Sequence, residues 1–136
     1  MGWCCEHGAA FVPFAPLGRG FLTGTVTSSQ FAADDWRDSP ARFQPEALAT
    51  NLHLVEIVRQ VADHHQATPA QVAIAWTLAQ GEHVIPVPGT KNPRYLADNA
   101  PAADLDLTAA DLAVPPARRG APQEDRHLPM SFTAGV

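Results

Sequence analysis

Val84-Ile85-Pro86-Val87-Pro88-Gly89-Thr90-Lys91-Asn92-Pro93-Arg94 reads as a brief strand that empties into a small-residue turn and then into the start of a helix. Pro86 limits the ladder bonds the strand can make. Pro88 and Gly89 make the turn, and Asn92-Pro93 opens the helix, with proline where its missing N–H costs nothing. A helix start carries unsatisfied backbone N–H groups and the positive end of the helix dipole. Thr90 adds a hydroxyl there, and Lys91 and Arg94 add two cations. The segment therefore suits a phosphate monoester. Read alone, it equally suits an ordinary strand-to-helix turn with two solvated cations.

Working back toward the N-terminus, Ala10-Phe11-Val12-Pro13-Phe14-Ala15 is a second short apolar run, bounded by Gly8 and by Pro16-Leu17-Gly18. It predicts a buried strand that ends in the glycine-bearing loop Leu17-Gly18-Arg19-Gly20, where the backbone can approach a ligand closely. Phe14, near the end of that strand, is placed either to stack on a flat ring or to fill the core. Residues 25–44 read as a polar excursion over the surface. From Pro45 to about Gln66, Leu48, Leu52, Val55, Val58, Val61 and Ala62 recur at helical spacing, which predicts one buried face and puts Glu56, Arg59 and Asp63 in water. Thr68-Pro69-Ala70-Gln71 is a capping box that opens a helix running to Gly81, with Val72, Ala75, Trp76 and Ala79 as its inner stripe. The helix from Asn92-Pro93 runs to about Asn99. Thr108-Ala109-Ala110-Asp111 is a second capping box, and Pro115-Pro116 ends the helix it starts.

Strand, loop, helices, strand, loop, helix is the rhythm of βα units on a parallel sheet. The expected class is α/β. Two parallel strands by themselves leave edges unpaired and faces uncovered, so the pattern asks for neighbours beyond the chain. In barrels of this rhythm, ligands sit at the C-terminal ends of the strands, and phosphate is commonly held after strands seven and eight. Both loops lie at such ends.

Composition narrows the partners. The chain has 136 residues, 46% hydrophobic and 17% charged, with a formal net charge of -5. Its cations are scattered singly, which gives no basic face for nucleic acid or anionic lipid. No apolar run approaches the roughly 18 residues of a membrane span, and the N-terminus lacks a basic start before an apolar stretch. A soluble cytoplasmic protein is the default expectation. Cys4 and Cys5 are adjacent, a spacing unsuited to a disulfide with each other or to a zinc motif, so reduced thiols near a helix are expected. The six histidines are expected in solvated or capping roles.

Three ordered blocks, residues 11–24, 68–76 and 85–99, resemble the last two βα units of bacterial aldo-keto reductases. The resemblance implies the fold of a partial (β/α)8 TIM barrel: strands 7 and 8, a C-terminal helix and a tail. Residues 1–116 would form the barrel part and 117–136 a flexible tail. It implies NADP(H) as cofactor, with hydride transfer to an aldehyde or ketone as the activity of a complete enzyme. Phe14 would stand where the family places the aromatic, commonly Tyr, that stacks on nicotinamide. Ala15 stands where many members have Ser. Leu17, Gly18 and Arg19 would lie along the pyrophosphate. Gly89, Thr90, Lys91 and Arg94 would surround the adenosine 2′-phosphate, and Asp98 and Asn99 would hold the adenine end.

The same resemblance implies an Asp, Tyr, Lys and His catalytic set on earlier strands. Tyr95 and Lys91 are the only tyrosine and lysine of this chain, and both fall in the phosphate-end segment. The expectation is a chain that is inactive alone and works beside the missing N-terminal barrel portion. A non-catalytic nucleotide- or protein-binding module and an inert truncated remnant stay open as alternatives.

Overall fold

The computed structural model describes residues 1–28, 31, 35 and 43–113. The expected tail at 117–136, the helix stop at Pro115-Pro116 and most of the 25–44 excursion lie outside those residues. The first helix, α1 (Gly2–Glu6), ends with His7 stacked on Trp3, ring centroids 4.3 Å apart, while Cys4 and Cys5 are free thiols on it.

The longest helix, α2 (Pro45–His64), follows its apolar spacing: Leu48, Val55 and Ala62 are buried, and Glu56, Arg59 and Asp63 are exposed. It stops two residues before the expected end, because Gln66 turns into left-handed backbone at φ 53°. Leu48 and Val55 join Phe21, Val26 and Phe43 in one core, with Leu22, Phe31 and Leu52 packed against it. Full burial of each such side chain contributes about 1.5–3 kcal/mol. The ring of Phe43 is met edge-on by Phe21, centroids 6.4 Å apart, and by Phe31 at 5.5 Å. At the described positions of the expected surface excursion, Thr25, Thr27, Ser28 and Gln44 are exposed, but Val26 and Phe43 are core and Phe31 packs against it, which corrects the reading there.

Next, α3 (Pro69–Leu78) opens with both halves of its capping box formed. Gln71 N donates to Thr68 Oγ1 at 3.2 Å, and Thr68 N donates to Gln71 Oε1 at 2.8 Å. Of the expected stripe, Val72 and Ala75 are buried, Trp76 is half-buried and Ala79 is exposed, while Ala73 and Ile74 between them are buried as well. The reason is packing on several sides: α3 touches α2, the 3₁₀ turn Phe21–Thr23, the 3₁₀ turn Ala100–Asp104 and α4 (Pro93–Asn99). Small alanines let those neighbours approach. The helix ends at Leu78 rather than Gly81, and Val84 N closes the following turn on Gly81 O at 2.9 Å.

The two apolar runs pair in parallel, through isolated bridges Phe11 to Val84 and Phe14 to Val87, not as continuous strands. Phe11 N donates to His83 O (2.7 Å), Ile85 N to Phe11 O (2.9 Å) and Val87 N to Pro13 O (3.1 Å). The bond that should fall between the last two needs an N–H at residue 13, where proline has none. Proline thus breaks the ladder into two bridges. Side chains alternate across the ribbon. Val84 is buried and Phe11, Pro13 and Pro86 are half-buried on one face, while Val12, Phe14, Ile85 and Val87 are exposed on the other.

The short C-terminal helix α5 (Ala109–Leu112) also has its capping box, with Thr108 at the cap and Asp111 answering it. Asp111 Oδ2 further accepts from His65 Nε2 at 2.9 Å, which docks α5 onto the end of α2. Trp76 Nε1 donates to Leu112 O at 3.4 Å from the α3 side. The bonds from the Thr108 hydroxyl, then His65, then the Thr108 backbone hold the Asp111 carboxyl down at about 2. Among the described residues, no helix is long and apolar enough to cross a membrane.

Candidate functional site

Because the two segments run parallel, their C-terminal ends lie side by side, and the Phe14 to Val87 bridge marks the place where both loops leave. Phe14 is 79% exposed there, its ring standing on the uncovered face of the ribbon. After it the backbone coils tightly. Ala15, Gly18, Arg19 and Gly20 all take positive φ, at 52°, 57°, 61° and 90°. For Ala15 and Arg19 this is strained backbone, held by Gly18 N to Ala15 O (2.9 Å), Gly20 N to Leu17 O (3.1 Å) and Leu22 N to Leu17 O (3.1 Å). Leu17, Gly18 and Arg19 are half-buried, so the loop is seated on the core through Phe21.

The partner loop is more open. Gly89, Thr90, Lys91 and Arg94 are all exposed, and nothing lies within 4 Å of where a Cβ on Gly89 would stand. Asn92 N donates to Thr90 Oγ1 at 3.1 Å, and Arg94 N donates to the Asn92 side chain at 2.9 Å. These bonds occupy part of the N–H supply that the sequence pattern offers to an anion, so the electrostatics of the site rest on the two side-chain cations and on the Thr90 hydroxyl proton. Arg94 Nε sits 3.7 Å from Asp98 Oδ2, a surface pair one helical turn long. The Asp98 carbonyl accepts from Gln71 Nε2 at 2.6 Å, which ties α4 to the cap of α3. Asn99 is buried, while Asp98 stays exposed beside it.

Of the ten residues expected at the site, Phe14 closes the first segment of the ribbon and Leu17, Gly18 and Arg19 lie on the loop after it, while Gly89, Thr90 and Lys91 lie on the second loop and Arg94, Asp98 and Asn99 on α4. The long-range ties that seat them escape a reading by local spacing. Gln71 to Asp98 spans 27 residues, and the Arg59 Nη2 bond to Gly24 O, at 2.7 Å, spans 35. The only local signal for the second is Gly24 itself, whose φ of 75° turns its carbonyl toward α2.

The sequence profile of the Aldo/keto reductase family matches residues 2–114. Over 111 residues the chain is 42% identical to aldo-keto reductase yakc (NADP(+)) of Schizosaccharomyces pombe, a match covering 81% of this chain and 33% of that protein. It is 41% identical over 109 residues to probable aldo-keto reductase 1 of Glycine max, and 39% identical over 109 residues to aldo-keto reductase str7 of Strobilurus tenacellus. Those matches cover 80% and 79% of this chain and 32% of each relative. The chain spans about a third of the length of these relatives, two of them fungal and one from a plant. The chain belongs to the aldo/keto reductase family.

Proposed function

We propose that this chain is the cofactor-gripping C-terminal part of an NADP(H)-dependent aldehyde or ketone reductase: the last two βα units of a (β/α)8 barrel, with residues 1–116 as the barrel part. The observation that carries this reading is the parallel ribbon with two loops at one end, one strained and rich in glycine, the other bearing Thr90, Lys91 and Arg94. The uncovered apolar face of Val12, Phe14, Ile85 and Val87 supports it, because in a closed barrel that face is the packed interior. The natural partner for that face is the N-terminal barrel portion.

The residues present fit the cofactor. The exposed ring of Phe14 can stack on nicotinamide, and the coil at 15–20 brings backbone close enough to lie along a pyrophosphate. Lys91, Arg94 and the Thr90 hydroxyl can neutralise and bond a 2′-phosphate, and the open space over Gly89 leaves room for it. Asp98 and Asn99 stand next in line for the adenine end. When bound, NADPH would supply the hydride that reduces the carbonyl carbon. The protein residues orient it. Tyr95 and Lys91 lie on the α4 side, both exposed, so the proton donor and its helpers are assigned to polypeptide outside these 136 residues.

Nucleotide titration of the full chain, followed by NADPH and NADH fluorescence, tests the grip. Lys91→Ala should weaken NADP(H) about tenfold, the low end for a charged hydrogen bond at an exposed site, and NAD(H) by less than about twofold. Equal losses for both cofactors would remove Lys91 from the phosphate. Aldehyde-dependent NADPH oxidation by the chain alone would show that the catalytic set lies within it. A non-catalytic nucleotide-binding module is the second reading, favoured by the same exposed face. Mixing the chain with the N-terminal two thirds of a relative separates the two, since only a barrel part regains turnover.

A further inference from the structure

We infer that the junction of α2 and α5 is a binding site for one late first-row divalent metal ion, held by His64, His65 and Asp111. The inference does not depend on the function proposed for the cofactor loops. The three side chains offer two imidazole nitrogens and a carboxylate oxygen, all within 4.8 Å of one another. They come from two different helices. His64 closes α2 and His65 caps it, while Asp111 lies on α5, 46 residues further along the chain.

The distances also fit an ion in place of the hydrogen bond. His65 Nε2 and Asp111 Oδ2 are 2.9 Å apart. Two donors bonded to one ion at about 2.05 Å, with a right angle between the bonds, stand about 2.9 Å apart. The pair is therefore already at the bite of an octahedral or tetragonal ion, which would take the place of the shared proton. His64 is exposed, and its ring centroid lies 5.0 Å from that of His65. Ligation would need this surface side chain to rotate its nitrogen toward the ion, and water would fill the remaining positions.

The carboxylate is also fixed in orientation. Thr108 N and Thr108 Oγ1 donate to the same oxygen, Asp111 Oδ2, at 2.9 and 2.6 Å, bonds that hold it toward His65 and that an ion there would share or displace. Two imidazoles with one carboxylate select Ni²⁺, Cu²⁺ or Zn²⁺ over Mg²⁺ and Ca²⁺, which prefer all-oxygen surroundings. Bound there, the ion would clip α5 to the helical layer and stabilise the fold by mass action.

Calorimetric titration of the full chain with NiCl2 and with ZnCl2, alongside thermal melts, decides the matter. The expected result is saturable uptake of one equivalent, a raised melting temperature, and silence with MgCl2 and CaCl2. His64→Ala, which removes an exposed ligand without disturbing the core, should weaken uptake at least about tenfold. His53→Ala, an exposed histidine on the same helix outside the cluster, should change nothing. The inference is overturned if the unaltered chain takes up no ion, if His64→Ala binds as well as the unaltered chain, or if His53→Ala loses as much as His64→Ala.

Discussion

Replacing Gln71 with alanine tests whether the cap of α3 also holds the site-bearing helix α4. The side chain makes two bonds at once: its Oε1 accepts from Thr68 N at 2.8 Å, and its Nε2 donates to Asp98 O at 2.6 Å. Each is worth about 0.5–1.5 kcal/mol net. Both are exposed, so the loss should sum to roughly 1–2 kcal/mol, toward the lower half of that range. Thr68→Ala removes only the bond from Gln71 N, at about 1 kcal/mol, and leaves α4 tied. Gln71→Glu keeps an acceptor for the cap but sets a carboxylate against the Asp98 carbonyl, so it should loosen α4 selectively. Urea unfolding gives the totals, and amide hydrogen exchange gives their location. Faster exchange within Pro93–Asn99 is expected for both Gln71 variants and not for Thr68→Ala. Unchanged exchange there in Gln71→Ala would refute the tether, whatever the total loss.

Phe43→Ala empties the centre of the aromatic group against Phe21 and Phe31 and should cost about 3–5 kcal/mol, enough to abolish cooperative unfolding by circular dichroism. Gly24→Ala asks a Cβ to stand 3.0 Å from the Arg59 guanidinium at a φ of 75°, so a loss of about 1–2 kcal/mol is expected in thermal unfolding. A neutral result would show that Arg59 simply swings away and that the φ strain is small. Acid should release α5. The Asp111 carboxyl is lowered from 3.8 to about 2 in the fold, so its stabilisation is complete above 3.8 and fades as pH falls from there toward 2. Asp111→Asn should flatten the acid limb of a pH-stability curve in that window, and an unchanged limb would place the acid sensitivity elsewhere.

Chemistry that acts over three or four residues is legible in the sequence itself. Thr68 and Gln71, Thr108 and Asp111, and Asn92 ahead of Pro93 each form the cap that their residue types dictate. The positions of the two apolar runs and of the loops that follow them come from the same short range. Three features depend on the folded chain. Phe43 is buried although its neighbours in sequence are polar, because burial there is decided by α2 and the 3₁₀ turn above it. His65 meets Asp111 across 46 residues, where no spacing rule applies. Arg59 reaches the Gly24 carbonyl across 35 residues, which no local pattern announces.

In the proposed reading, the ribbon also couples cofactor grip to closure of the barrel. Few backbone bonds join its segments, and Pro13 withholds the one between those made at Phe11 O and Pro13 O, so loop 16–20 is positioned against loop 88–91 largely by packing on one face. On the other face Phe14 stands 79% in water. If the remaining strands pack over Val12, Phe14, Ile85 and Val87, burying these four side chains contributes several kcal/mol, at about 25 cal/mol per Å². In that reading, the same contact would fix the Phe14 ring proposed to meet the nicotinamide. Nucleotide binding by this chain alone should then rest on the phosphate end, with NADP(H) and adenosine 2′-phosphate binding almost equally. Addition of the N-terminal portion should strengthen the dinucleotide well beyond the fragment. Equal gains for both ligands would uncouple the Phe14 ring from closure.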